Sequence, residues 1–150
     1  MRFLVIQGPN MNILGRREPE IYGKETLDEL NAWIRERPEL INDNLVFFQS
    51  NHEGAIIDSL HAHIGKVAGA VINPGAYTHT SYAIRDAIAA VDYPVVEVHL
   101  SDIHKREAFR KVSLIADVCL KQIVGKGKRG YLQGLKVLKK KGYTFKAARK

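Results

Sequence analysis

The chain has a single cysteine, Cys119, in 150 residues. No disulfide can close within it, and that composition fits a reducing cytoplasm. No apolar run is long enough to cross a bilayer. The first such run, MRFLVIQ, lacks a small-residue cleavage site and meets Gly-Pro-Asn at once, so it reads as a buried strand and not as a signal peptide. The Walker A loop is missing, and with it one of the usual glycine cradles for nucleotide phosphates. Neither HExxH nor paired cysteines at metal-ligand spacing occur, and His61 and His63 read as helix-end residues. The absences exclude a disulfide scaffold and argue against a nucleotide or zinc site. The expectation is a chemistry without metal or cofactor.

Acidic residues are also absent from one stretch. Residues 121–150 hold 11 Lys/Arg and no Asp or Glu, whereas residues 1–120 hold 12 Lys/Arg against 16 Asp/Glu, a net of −4. A polyanion-binding tail is one reading of this asymmetry. A solvated helix face is the other, and the lack of any base-reading motif beside the charge favours it over nucleic-acid binding.

What is present is an alternation of apolar runs and helical patterns. At this length the expectation is one domain over 1–150 with its own core, and a basic tail from about residue 142. RFLVIQ, LVFFQ, GAVIN, PVVEVHL and the weaker DVCLKQIVG read as strands. TLDELNAWIRER reads as a helix whose Thr26 and Glu29 have capping-box spacing. AIIDSLHAHIG, stopping at Gly65, and SYAIRDAIAAV read as two more; a short one is expected over KREAFR. YLQGLKVLKKK is the last, with Gly142 as its stop. Strands alternating with helices predict an α/β fold, a three-layer sandwich around a five-stranded parallel sheet. The commonest order for such a sheet is the flavodoxin-like 2-1-3-4-5, with the ligand beyond the C-terminal strand ends near the switch between strands 1 and 3.

The polar residues that most need explaining fall at those ends. GPNMNILGRREPEIYG, from Gly8 to Gly23, follows strand 1. Its glycines and prolines forbid a regular element across it, and so long a loop is expected to be a lid or binding loop. In EVHLS, after strand 4, side-chain alternation puts Glu97, His99 and Ser101 on one side, with Val98 and Leu100 on the other. An acid beside a histidine can orient an imidazole for proton transfer; a structural pair is an equal reading. INPGAYTHTS, after strand 3, offers the Asn73 amide, His79, and hydroxyls at Thr80 and Ser81 that N-capping also explains. Arg106 and Arg110 are spaced one helical turn apart. Cys119 falls mid-strand among apolar residues, which argues against a nucleophile. Together these residues suit proton chemistry on a small, anionic, polyhydroxylated substrate.

With these stretches joined by FFQSNHEGAIIDSLH, VINPGAYTHTSYAIRDAI and PVVEVHLSDIHKREAFR, the chain resembles the type II 3-dehydroquinate dehydratases from Met1 to about Ser113. The resemblance implies trans-dehydration of 3-dehydroquinate to 3-dehydroshikimate without metal, cofactor or Schiff base. It implies trimers assembled into a dodecamer. It makes Tyr22 the base, Arg17 the residue that lowers its pKa, His99 the acid and Glu97 its orienting partner. Asn10 holds a water near the enolate oxygen. Asn73, with Leu100 and Ser101, takes the substrate carboxylate, and His79 and Arg110 take ring hydroxyls. Asp86 reaches a neighbouring subunit's site. After Ser113 the chain departs from the family pattern at Ala116, Asp117, Leu120, Lys121 and Lys128, which bears on subunit packing. The competing reading is a polyanion-binding module on a degenerate enzyme body.

Overall fold

The computed structural model describes residues 1–16 and 18–148, with side chains except those of Tyr22 and residues 143–148. Five strands form one parallel sheet: β1 (Arg2–Gln7), β2 (Asn44–Gln49), β3 (Ala70–Asn73), β4 (Val95–His99) and β5 (Lys121–Val124). Their order is 2-1-3-4-5, as expected. Alternation along β1 explains the layers. Phe3 and Val5 face a core shared with Leu30, Ile34, Leu135 and Leu138, while Leu4 and Ile6 face one shared with Ile56, Leu60, Ile84 and Ile88. Each fully buried Leu, Ile or Phe contributes about 1.5–3 kcal/mol relative to exposure, so a slip of one residue would exchange the two cores.

The helices are α1 (Pro19–Tyr22), α2 (Leu27–Arg35), α3 (Glu53–Ala62), α4 (Tyr82–Ala90) and α5 (Arg129–Ala148). In α2 the expected capping box is present in both directions. Glu29 N–H donates to Thr26 Oγ1 (3.2 Å) and Thr26 N–H to Glu29 Oε2 (2.8 Å). The latter bond, first among the causes, holds the Glu29 carboxyl below its usual range. Ser81 caps α4 by accepting from Ile84 N–H at 2.9 Å, so the N-capping reading holds for Ser81.

Several local expectations need correction. The loop after β1 contains one helical turn, α1, opened by Pro19, where proline's fixed φ suits the first position. Helix α3 ends at Ala62, ahead of Gly65, and Ile64 lies exposed. KREAFR is not a helix. Two 3-10 turns, Ile103–Lys105 and Ala108–Arg110, are split by an extended Arg106 (φ −106°, ψ −165°). A segment this short does not repay helix nucleation, and Asp102 caps its own turn by accepting from His104 N–H. Cys119 lies in a turn before β5, not within the strand. Helix α5 runs through Gly142, which is buried beside Met1 and Ala68, and continues to Ala148.

The basic segment is anchored to the acidic body. Lys128 pairs with Glu25 (2.8 Å) and lies over the Trp33 ring. Lys136 pairs with Glu39 and Lys139 with Asp43 (2.7 Å). Asp43 also takes the Met1 ammonium at 2.6 Å. Burial pushes the Asp43 carboxyl up, but these two cations outweigh it and hold it below its ordinary value.

Replacing Thr26 with Ala should lower unfolding stability by about 1 kcal/mol, the usual worth of an N-cap. It is read as a lower urea midpoint at unchanged slope. No shift would mean that burial of Leu30 and Ile34 alone sets where α2 starts.

Candidate active site

The switch point is built by backbone contact. Gly8 N–H donates to the Asn73 carbonyl at 2.7 Å. A Cβ on Gly8 would fall 2.5 Å from the Pro74 carbonyl carbon, so only glycine lets the loops after β1 and β3 touch. Beyond that contact a pocket opens, lined among others by Asn10, Met11, Asn73, His79, His99 and Arg110. Leu100, Ser101 and Arg106 also line it. The ends of β1, β3 and β4 therefore converge as the fold class predicts.

Glu97 and His99 lie on one side of β4, as alternation requires. His99 Nε2 is 2.8 Å from Glu97 Oε1, and both residues are buried, Glu97 completely. The carboxylate is held on every side. Ser113 Oγ donates within reach of both oxygens (2.9 and 3.0 Å), Gln122 Nε2 donates to Oε2 (3.0 Å) and Thr78 Oγ1 to Oε1 (3.3 Å). With Nε2 engaged, Nδ1 is the ring nitrogen left for the pocket. Thr78, Ser113 and Gln122 were not singled out from sequence. The available signal was a glutamine inside a short strand, KQIV, opposite an acid-bearing one.

Asn73 is buried and fully oriented. Its Oδ1 accepts from Gly75 N–H (3.2 Å), and its Nδ2 donates to Tyr131 Oη (3.0 Å) and lies 3.7 Å from Met11 Sδ. Nearby, the Leu100 carbonyl accepts from Gly127 N–H at 3.1 Å. Within a planar trans peptide the N–H points opposite to the C=O, so the Ser101 N–H points away from Gly127. Asn10 adopts the left-handed region (φ 68°), which Asn tolerates best among non-glycines. Its N–H donates to Asn51 Oδ1 at 2.9 Å.

The cationic wall comes from the segment after β4. His79 Nδ1–H donates to the Val112 carbonyl at 2.6 Å, which leaves Nε2 as its acceptor, and the ring meets Phe109 edge-on. Arg110 pairs with Glu107 (3.0 Å) and lies over Phe109. Arg106, on extended backbone, pairs with Glu107 and approaches Glu18 of the opening loop at 4.0 Å. Both arginines thus reach the pocket, though from two turns and not from one helical face.

Arg17 lies outside the described residues, as does the side chain of Tyr22, whose backbone ends α1. Asp86 is exposed on α4 and is not among the residues lining this pocket. A larger hollow of about 360 Å³ at the opposite strand ends is lined by Met1, Arg2, Lys66, Asp92 and Tyr93. It lacks the convergent titratable pair and oriented amide that mark a reactive site. No group of His, Cys, Asp and Glu able to hold a metal occurs among the described residues. No described helix is long and apolar enough to cross a membrane.

Three kinds of comparison bear on this site. The family described as dehydroquinase class II matches residues 1–139. The 3-dehydroquinate dehydratase of Roseiflexus castenholzii is 53% identical over 138 residues, 92% of this chain and 88% of that protein. That of Bacillus pumilus is 52% identical over 140 residues, 93% and 95% of the two chains. The crystal structure of the type II dehydroquinase from Butyrivibrio crossotus superposes with a TM-score of 0.89 at 48% identity, covering 93% of this chain and 97% of that one.

Cys119 does not line this pocket; it lies beside Glu97, half-buried, and burial pushes its thiol up to about 12. Since only the thiolate is nucleophilic, the native protein should react with iodoacetamide at pH 8 far more slowly than free cysteine. Fast labelling, followed by mass spectrometry, would show that the turn before β5 opens.

Proposed function

The chain belongs to the class II dehydroquinase family, and on that premise we infer that it is a hydro-lyase that dehydrates 3-dehydroquinate to 3-dehydroshikimate. The observation that carries the reading is the meeting, in one pocket, of a Glu97-backed His99 and the oriented Asn73 amide. A polyanion-binding module finds no support in the comparisons, and Lys128, Lys136 and Lys139 are each paired with an acid of the body.

The roles are those that the family resemblance implies. Tyr22 removes the proton from the carbon beside the ketone, and the electron pair moves onto the ketone oxygen as an enolate. Asn10, through a water, and the cationic wall stabilise that charge. When the carbonyl re-forms, the C–O bond to the hydroxyl breaks, and His99 gives its Nδ1 proton so that water leaves. Glu97 orients the ring through Nε2. Asn73, with the Leu100–Ser101 segment, takes the substrate carboxylate, and His79 and Arg110 take ring hydroxyls. Arg17 is assigned to lower the Tyr22 pKa because a free tyrosine, with a pKa of about 10, is only ~0.1% ionised at neutral pH. An opposite charge within about 4–6 Å lowers a pKa by roughly 1–3 units. The opening loop is then a lid that delivers Tyr22 and Arg17 and excludes water when closed. No step calls for a metal or cofactor. The whole chain works as one catalytic domain, cytoplasmic, in trimers assembled into a dodecamer, with Asp86 completing a neighbour's site.

The test is the rise in ultraviolet absorbance as purified protein converts 3-dehydroquinate to the conjugated enone. Replacing His99 with Ala should lower turnover by roughly 10²–10⁴-fold, the contribution of a positioned general acid. Wild-type turnover with a collapsed melting temperature would make the Glu97–His99 pair structural. Arg17→Gln should cut turnover and move the acidic limb of the rate profile to higher pH. The sign follows because losing the cation raises the tyrosine pKa, so the phenolate forms only at higher pH. Lower turnover with an unmoved limb would confine Arg17 to the transition state.

A further inference from the structure

We propose that Tyr131 is a positioning residue of this site, whose hydroxyl fixes the Asn73 amide so that an N–H, and not the carbonyl oxygen, faces the substrate carboxylate. The proposal rests on the reading above that Asn73 binds that carboxylate. Tyr131 lies in the first turns of α5, beyond the stretches that carry the family resemblance, and has no solvent exposure. It is not among the residues lining the pocket.

The direction of each hydrogen bond follows from what each group can do. Gly75 N–H can only donate, so the Asn73 atom 3.2 Å away is the amide oxygen. The amide nitrogen then faces Tyr131 Oη at 3.0 Å. That nitrogen can only donate, so the phenol oxygen accepts. The phenol's one proton must go elsewhere, and Gln7 Oε1 lies 2.6 Å away, a distance typical of O–H···O bonds. The result is a one-way relay from Gly75 through Asn73 and Tyr131 to Gln7. Gln7 presents its oxygen because the phenol proton needs an acceptor, and its Nε2 is left buried with no partner among the described residues. Burial pushes the Tyr131 hydroxyl up from its ordinary value, and the phenol keeps its proton at neutral pH.

One N–H of Asn73 remains. Its neighbour is Met11 Sδ at 3.7 Å, a weak acceptor, and Met11 and Asn73 both line the pocket. A carboxylate is a far better acceptor and takes this N–H on binding. A flipped amide would instead turn its carbonyl dipole against the anion. Without the phenol oxygen, only the Gly75 N–H opposes that flip.

Steady-state kinetics of Tyr131→Phe, Asn73→Ala and the double variant test the proposal. Tyr131→Phe keeps the buried ring. It should raise KM by about tenfold or more, the order of one hydrogen bond to a charged group, with kcat changed far less. In the Asn73→Ala background the same substitution should leave KM unchanged, because there is no amide left to orient. An equal KM penalty in both backgrounds, or a melting-temperature loss with KM unmoved, overturns the role of Tyr131 while the carboxylate reading stands. An Asn73→Ala variant with wild-type KM removes the carboxylate reading and the proposal with it. Gln7→Met provides a second route if Tyr131→Phe does not fold. The phenol then has a free proton to donate toward Asn73, the amide turns, and KM should rise. A wild-type KM for Gln7→Met overturns the proposal.

Discussion

The buried carboxylate of Glu97 constrains the rest of the structure. It sits with no exposure in β4, between β3 and β5, where an unpaired charge would cost several kcal/mol or more. That cost is avoided only if donors arrive from three directions. Thr78 comes from the turn after β3, Ser113 from the segment after the second 3-10 turn, and Gln122 from β5. The path of the chain from residue 100 to 124 is therefore tied to one side chain. Ser113 binds the carboxylate and also accepts from Ala116 N–H, so the turn leading to β5 is fastened to the group that orients His99.

A second polar relay runs on the opposite side of the sheet and serves the same pocket. Tyr131 reaches under the sheet from α5 to Gln7 of β1 and Asn73 of β3. The two relays hold two groups that line the pocket, an imidazole and an amide, by hydrogen bonds made entirely within the protein. Such preorganisation costs nothing at the moment of reaction. It also explains why polar residues at the ends of apolar strands are tolerated: Gln7, Asn73 and His99 each find a hydrogen-bond partner on another element, while the Gln7 amide nitrogen goes without one among the described residues.

The basic C-terminal segment illustrates how charge can mislead when read alone. Its lysines reach Glu25, Glu39 and Asp43 on the acidic body. The exposed Lys128–Glu25 and Lys136–Glu39 pairs contribute about 0–1 kcal/mol each. Their effect here is placement, since they hold α5 where Leu135 and Leu138 enter the core and Tyr131 meets Asn73. Arg85 forks onto Asp117, one of the positions that departs from the family pattern, and so fastens the turn before β5 to α4.

Features set by local chemistry were legible in the sequence. Alternating apolar runs gave the five strands and their parallel order, and the period of two put Glu97 and His99 on one side. Thr26 and Glu29 marked the start of α2, and the glycine-proline turns after β1 and β3 marked the site. Those patterns depend on residues within a few positions of one another. The tertiary structure decided what depends on distant neighbours. Ser113 and Gln122 become donors only because β5 pairs with β4, and Tyr131 matters only because α5 crosses β1 and β3. Arg106 and Arg110 reach the pocket by two short turns, where their spacing had suggested a helix. Gly142 continues α5, where its type had suggested a stop, because packing against Met1 and Ala68 overrides its weak helix propensity. Hydrogen bonds between residues tens of positions apart leave no periodic trace, so the pair at the centre of the site could be read from sequence while the donors that hold it could not.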